Sequence, residues 1–263
     1  MSDTIIYDVS DGIATITLNR PDSLNALNTE LSNAFIKAIG DAGSDLGVRA
    51  VIITGAGRAF CAGADLAEVQ NQMEGGKQMR PDEILRTRYN PIVLGITEMP
   101  KPVIAAVNGA AAGAGSSVAL ACDIRIAGDK AKFLQAFIKI GLIPDSGAHW
   151  LLPRLVGQAK ATELAITGET IDAEEALRIG MVNRVVPQAE LLEQATAWAK
   201  RFATGPTVAY GLTKKAFRLA ATADLSTVLD IEADLQAEAA LTRDSVEGVV
   251  AFIEKRDATF EGR

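Results

Sequence analysis

Ala50-Val-Ile-Ile-Thr-Gly-Ala-Gly-Arg-Ala-Phe-Cys-Ala-Gly-Ala-Asp-Leu66 is the stretch on which the reading of this chain turns. Ala50–Thr54 is a short, continuous apolar run, the pattern of a strand buried on both faces. Gly55-Ala-Gly57 ends it. Small residues at Ala62, Gly63 and Ala64 then let a ligand approach the backbone closely. Asp65 stands where it can cap the next helix, so the turn also reads as a plain strand-to-helix connection. The same order recurs at Val103–Val107, which leads through Asn108-Gly109 to helical spacing over Gly113–Ala121. Ile124–Ala127 is a third apolar run. Strand followed by helix, repeated, implies right-handed crossovers and mostly parallel sheets.

On the N-terminal side, Ile5–Val9 and Ile13–Leu18 read as strands joined by a Ser10-Asp11-Gly12 turn. Leu27–Ile39 has helical spacing, with Asn28 and Thr29 as candidate caps. Asp82–Thr97 also reads as helix, and Asn71–Pro81, with Gly75-Gly76, as a mobile loop. After Trp150 helices dominate, over 159–167, 173–179, 190–203, 207–221, 225–240 and 245–255. The expectation is a mixed α/β core over residues 1–200 and a helical C-terminal part over 201–263.

Composition narrows the function. A net charge of −7 argues against a nucleic-acid partner, which calls for a basic face. Pro102–Cys122 carries no charge and imitates a membrane span, but Asn108, Ser116, Ser117 and three glycines within it make a poor lipid-facing helix. No secretory signal opens the chain, and Cys61 and Cys122 form no CxxC pair, so a reducing, cytoplasmic setting is expected. One histidine, His149, leaves no His-rich metal site.

Two further segments bear on chemistry. Asn108-Gly-Ala-Ala-Ala-Gly-Ala-Gly-Ser-Ser117 offers unpaired N–H groups at a helix start, suited to an anion or oxyanion, or simply a closely packed Gly/Ala helix. Asp145, in Leu142-Ile-Pro-Asp-Ser-Gly147, is either an N-cap or a carboxylate in an apolar pocket, where desolvation makes it a usable base. His149 lies four residues on and would share a helix face with Asp145, to tune it or merely to sit on the surface.

Taken together, AFCAGADL (59–66), VNGAAAGAG (107–115) and IGLIPDSG (140–147) resemble the crotonase, or enoyl-CoA hydratase/isomerase, superfamily. NRPDSLNAL (19–27), the run from Ile166 to Val186 and Gly248–Arg256 match it too, so the likeness spans essentially the whole chain. The resemblance implies a spiral of ββα units and a C-terminal helical region that assembles trimers, or dimers of trimers. It implies an oxyanion hole made by the N–H groups of Ala64 and of Ala114, beside Gly113. It sets Ser23, Leu24, Ala26, Ala62, Asp65 and Leu66 along the CoA moiety, and lets Phe252 and Lys255 reach CoA, the chain's own or a neighbour's. CoA arrives as part of the substrate, so no separate cofactor is implied.

Hydratases of the superfamily use two glutamates on water. Counting from Cys122-Asp123 and from Gly141 puts these positions at Ser117 and Phe137, neither of them acidic. A carboxylate stands instead at Asp145, where hydratases usually carry glycine. This resembles the superfamily's isomerases that open an epoxidised phenylacetyl-CoA ring and also shift double bonds in enoyl-CoA. The chain departs from them at Gly147-Ala148-His149, where they carry Gly-Gly-Thr. The reading that follows is isomerisation through a thioester enolate with Asp145 as acid/base. The alternatives are hydration by water held between Ser117 and Asp145, and a non-catalytic CoA-binding scaffold.

Overall fold

The computed structural model describes residues 3–74 and 80–263, with only the backbone of Gln72. In chain order the strands are β1 (Ile5–Ser10), β2 (Ile13–Leu18), β3 (Ala50–Gly55), β4 (Ala59–Cys61), β5 (Val103–Val107), β6 (Ala110–Ala112), β7 (Ile124–Gly128), β8 (Lys132–Leu134), β9 (Thr170–Asp172) and β10 (Arg184–Val186). The helices are α1 (Thr29–Ser44), α2 (Leu66–Glu74), α3 (Pro81–Ile84), α4 (Asn90–Glu98), α5 (Ala114–Ala121), α6 (Ala148–Val156), α7 (Gln158–Thr167), α8 (Ala173–Arg178), α9 (Leu191–Ala203), α10 (Thr207–Ala220), α11 (Leu225–Ala240) and α12 (Arg243–Glu254).

Two sheets organise the core. The larger runs β1-β2-β3-β5-β7-β10, antiparallel only between β1 and β2; the smaller runs β4-β6-β8-β9, antiparallel only between β8 and β9. Asp11 and Gly12, both at positive φ, close the β1–β2 hairpin with the backbone a two-residue turn requires. The unbroken apolar run of β3 follows from its two covered faces. Val51 and Ile53 join the main cluster with Phe35 and Phe60, whereas Ala50 and Ile52 meet Leu191, Ala195 and Ala199 of α9. Fully burying one such aliphatic side chain contributes about 1.5–3 kcal/mol.

Asn28 caps α1 by accepting the Leu31 N–H at 2.9 Å. The helix expected over 82–97 is present but interrupted: α3 and α4 are joined by a π turn, Leu85–Tyr89. The loop expected over Asn71–Pro81 is shorter than read, because α2 runs through Glu74 and α3 starts at Pro81; residues 75–79 lie outside the described residues. Beyond α9, Lys214 of α10 pairs with Asp123 at 2.7 Å, and Arg49 donates to Gly205 O, Thr207 Oγ1 and Phe260 O. These bonds fasten α10 and the terminal segment to the residues that flank β3 and β7. Among the described residues, no helix is long and apolar enough to cross a membrane.

Candidate active site

The site grows from two turns that touch. After β4, Ala62–Asp65 runs beside Leu24–Leu27: Ala62 N–H donates to Leu24 O, Leu27 N–H to Gly63 O and Asp65 N–H to Leu27 O, at 3.0, 2.7 and 3.4 Å. In this alternation the Ala64 N–H points away from the pairing. After β6, Gly113 adopts φ 50° and ψ −124°, and α5 begins at Ala114. A first-turn N–H has no intrahelical acceptor. Among the described residues neither the Ala64 nor the Ala114 N–H meets a backbone or side-chain acceptor. Gly63 brings the turns together: a Cβ there would stand 2.6 Å from Ala112 O and 3.3 Å from Ala114 N. Gly109 and Gly115 serve packing instead, since a Cβ on either would sit 2.1 Å from a main-chain oxygen, of Arg58 and Cys61 respectively. The glycine-rich segment is thus both a close-packed core element and an amide-presenting turn.

The segment that lines Ala62–Asp65 is held from below. Asn25, fully buried at φ 58°, accepts the Arg20 N–H and donates to Ala56 O and Ala59 O. Arg20 Nη1 binds Asp65 Oδ2 at 2.7 Å and Ala26 O at 2.6 Å. The other Asp65 oxygen caps α2 by accepting the Ala67 and Glu68 N–H groups. Burial would raise the Asp65 carboxyl, but Arg20 and these amides together hold it below the ordinary carboxylate range. Arg20 was not legible as a partner of Asp65, since 45 residues separate them. Ser23 and Leu66 stand exposed, Leu24 and Ala62 half-buried and Ala26 buried around the same strip. Phe252 and Lys255 stand exposed on α12 and its cap, and no hydrogen bond among the described residues joins them to the Ala64 or Ala114 turn.

Asp145 lies in the segment that leads into α6 and meets α5 at Ser117. It does not cap α6, as one reading of the sequence had it: α6 starts at Ala148 behind Gly147, and among the described residues the Asp145 carboxylate accepts only the Ser146 hydroxyl, at 2.7 Å. Ser146 and Gly147 are both at positive φ, so Asp145 and His149 do not share a helix face; His149 is exposed. Burial pushes the Asp145 carboxyl above its ordinary range, against smaller opposite pulls from Ser146 and the His149 charge. Ser117 is fully buried, and its hydroxyl donates to the Asp145 main-chain oxygen at 3.1 Å, with Gly113 O further away at 3.4 Å. Phe137 is buried, its ring covering Gly113.

Tyr89 ends the π turn, a feature often found at functional sites, beside the Leu24–Leu27 strip. Its phenol is buried and donates to Leu27 O at 3.3 Å. Burial, and next the charge of Asp145, push that phenol above its ordinary value, so it stays a neutral donor. The Cys61 thiol, directly before the Ala62–Ala64 turn, is pushed up to about 12 by burial and is no nucleophile. Two orphan amides and a carboxyl of raised pKa suit a reaction that builds negative charge on a carbonyl oxygen while a proton moves.

The family model described as enoyl-CoA hydratase/isomerase matches residues 8–263. The chain belongs to the enoyl-CoA hydratase/isomerase family. A protein of Rhodobacter capsulatus named "probable enoyl-CoA hydratase" is 45% identical, covering 99% of this chain and 98% of that protein. The 1,2-epoxyphenylacetyl-CoA isomerase of Escherichia coli is 43% identical over the full length of both. The crystal structure of an enoyl-CoA hydratase from Bacillus anthracis superposes with a TM-score of 0.90 at 35% identity, covering 99% of this chain and 100% of that one. The crotonase fold and family expected from the sequence therefore hold, and relatives named as hydratases and as isomerases are similarly close.

Proposed function

We propose that this family member is an acyl-CoA isomerase working through a thioester enolate. The N–H groups of Ala64 and Ala114 hold the thioester oxygen, which gains charge as the enolate forms; one such donor contributes roughly 3–4 kcal/mol. Asp145 takes a proton from the carbon next to, or vinylogous to, the carbonyl and returns it at another carbon. The electron pair of the broken C–H bond passes through the enolate and closes a C=C bond at the shifted position, so no water is consumed. The same step can start the opening of an epoxidised ring, in line with the name of the Escherichia coli relative.

The observation that carries this reading is the content of the two positions where family hydratases hold glutamates. One is Ser117, buried and bonded to the Asp145 main chain; the other is Phe137, whose ring lies on Gly113. Neither is a carboxylate that could activate water, whereas Asp145 is a carboxylate whose pKa burial raises, the direction that strengthens a base. The relatives named as hydratases favour a second reading, hydration, with Asp145 as a non-standard base. CoA enters with the substrate and no other cofactor takes part. The exposed Phe217, Leu229, Val249, Phe252 and Ile253 of the last three helices fit self-association as a trimer or dimer of trimers in the cytoplasm.

The test is incubation of the pure protein with a 3-enoyl-CoA, for wild type and Asp145→Asn. Conversion to 2-enoyl-CoA at unchanged mass, absent in the variant, is expected. A product heavier by one water establishes hydration instead. Thioester binding without turnover, unchanged in Asp145→Asn, leaves a binding scaffold.

A further inference from the structure

Ser117 is the feature of the site that the proposed chemistry does not use. All eight residues of α5 are buried, so a hydroxyl among them must find an acceptor or lose a hydrogen bond to water without replacement. A serine inside a helix commonly bonds the carbonyl four residues back. Here that carbonyl is Gly113 O, at 3.4 Å, and Asp145 O is nearer, at 3.1 Å. The hydroxyl carries one hydrogen. It therefore goes across to Asp145, 28 residues away in sequence.

The segment that receives this bond packs through the buried Pro144 and Ser146, but it has few hydrogen bonds to the rest of the chain. Residues 142–145 form no helix or strand, and Ser146 and Gly147 are both left-handed. Among the described residues, every other hydrogen bond of 142–147 is local: Leu142 N–H to Phe137 O, the Ser146 hydroxyl to the Asp145 carboxylate, and the Ala148, Trp150 and Leu151 N–H groups to Asp145 O or Gly147 O. Among the described residues, the Ser117 bond is the one hydrogen bond between this loop and the helix whose first residue is Ala114.

We infer that Ser117 is a positioning residue, whose hydroxyl fixes the Asp145 loop against α5 and so sets the acid/base in register with the amide at the start of the same helix. This rests on the function proposed above. With Asp145 O as acceptor, the hydroxyl has no hydrogen left to orient water. The position that serves hydration in relatives serves alignment of the base here.

The test compares wild type, Ser117→Ala and Ser117→Cys, the last nearly equal in size but a weak donor. One measurement is amide hydrogen exchange in peptides covering residues 142–147; the other is the kinetics of 3-enoyl-CoA isomerisation. The expected result is faster exchange in 142–147 and unchanged exchange elsewhere. It comes with a kcat lower by about ten- to a hundredfold, the scale of a displacement near 1 Å, and an unchanged KM. Ser117→Cys falls between the two, and decides the matter if Ser117→Ala does not fold. Unchanged exchange in 142–147, faster exchange throughout the chain, or an unchanged kcat overturns the inference. If the wild type does not isomerise, the functional reading fails by itself, and the exchange comparison alone decides whether Ser117 holds the loop.

Discussion

The ring of Phe137 lies on Gly113, with Cζ 3.5 Å from the point to which a Cβ on that glycine would project. An aromatic lid thus rests on the residue whose left-handed backbone aims the Ala114 N–H. Gly113→Ala forces a side chain into φ 50°, ψ −124° and toward that ring. A destabilisation of about 1–3 kcal/mol is expected in denaturant titration. Turnover should fall further than stability does, because the amide direction changes with the backbone.

Asp145 predicts a pH dependence of stability. Its folded pKa lies above the ordinary 3.8. A carboxyl raised on folding favours the native state most below its unfolded pKa, and that contribution is lost as pH rises through the folded value. At neutral pH the ionised carboxylate therefore costs stability. Asp145→Asn should raise the melting temperature at pH 7 relative to wild type, and the gain should vanish below about pH 3.8. A variant less stable than wild type at pH 7 contradicts this.

The rate should follow the same group with the opposite sign. The base form is the ionised one, so isomerisation declines as pH falls through the raised pKa. The midpoint of that acid limb should lie above the ordinary carboxylate value, and Asp145→Asn should show no activity at any pH. A limb centred at or below that value would mean that another group titrates.

Arg20 and Asp65 predict coupling between packing and binding. Their side chains are 20% and 10% exposed, and they meet at 2.7 Å. Arg20→Ala leaves Asp65 Oδ2 without its partner while Oδ1 keeps the Ala67 and Glu68 amides, so a loss of about 1–3 kcal/mol is expected. It also frees Ala26 O and loosens the strip that pairs with Ala62–Asp65. Both a lower unfolding midpoint and weaker acyl-CoA binding in calorimetry are expected. A wild-type binding constant in a destabilised protein would show that the pair serves stability alone.

Tyr89→Phe removes one hydroxyl and keeps the ring. The bond to Leu27 O is long, 3.3 Å, so the stability change should be at most about 1 kcal/mol. A much larger fall in kcat would give the phenol a part in the reaction beyond packing.

The parts of this fold that the sequence discloses are those set by near neighbours. β3 and β5 are apolar without alternation because both faces are covered, and the Asn28 cap is a local bond. What stayed hidden depends on distant chain segments. The π turn that ends at Tyr89 looks like ordinary helix, because its apolar spacing continues through it. Asp145 resembled a cap, since Asp-Ser-Gly often opens a helix; Ser146 and Gly147 turn the chain left-handed and delay the helix to Ala148. The Arg20–Asp65 pair and the Ser117–Asp145 bond join residues 45 and 28 apart, and no local pattern announces them.

The Ala64 and Ala114 amides, unpartnered among the described residues, belong to the main chain, and this shapes how such a protein can evolve. A base substitution in the gene replaces side chains and leaves a peptide N–H in place, unless it introduces proline or disturbs Gly63 or Gly113. Ser117, Phe137 and Asp145, by contrast, are each exchangeable by single codon changes. A lineage can thus try new side-chain chemistry on this surface while the two amides are inherited unaltered.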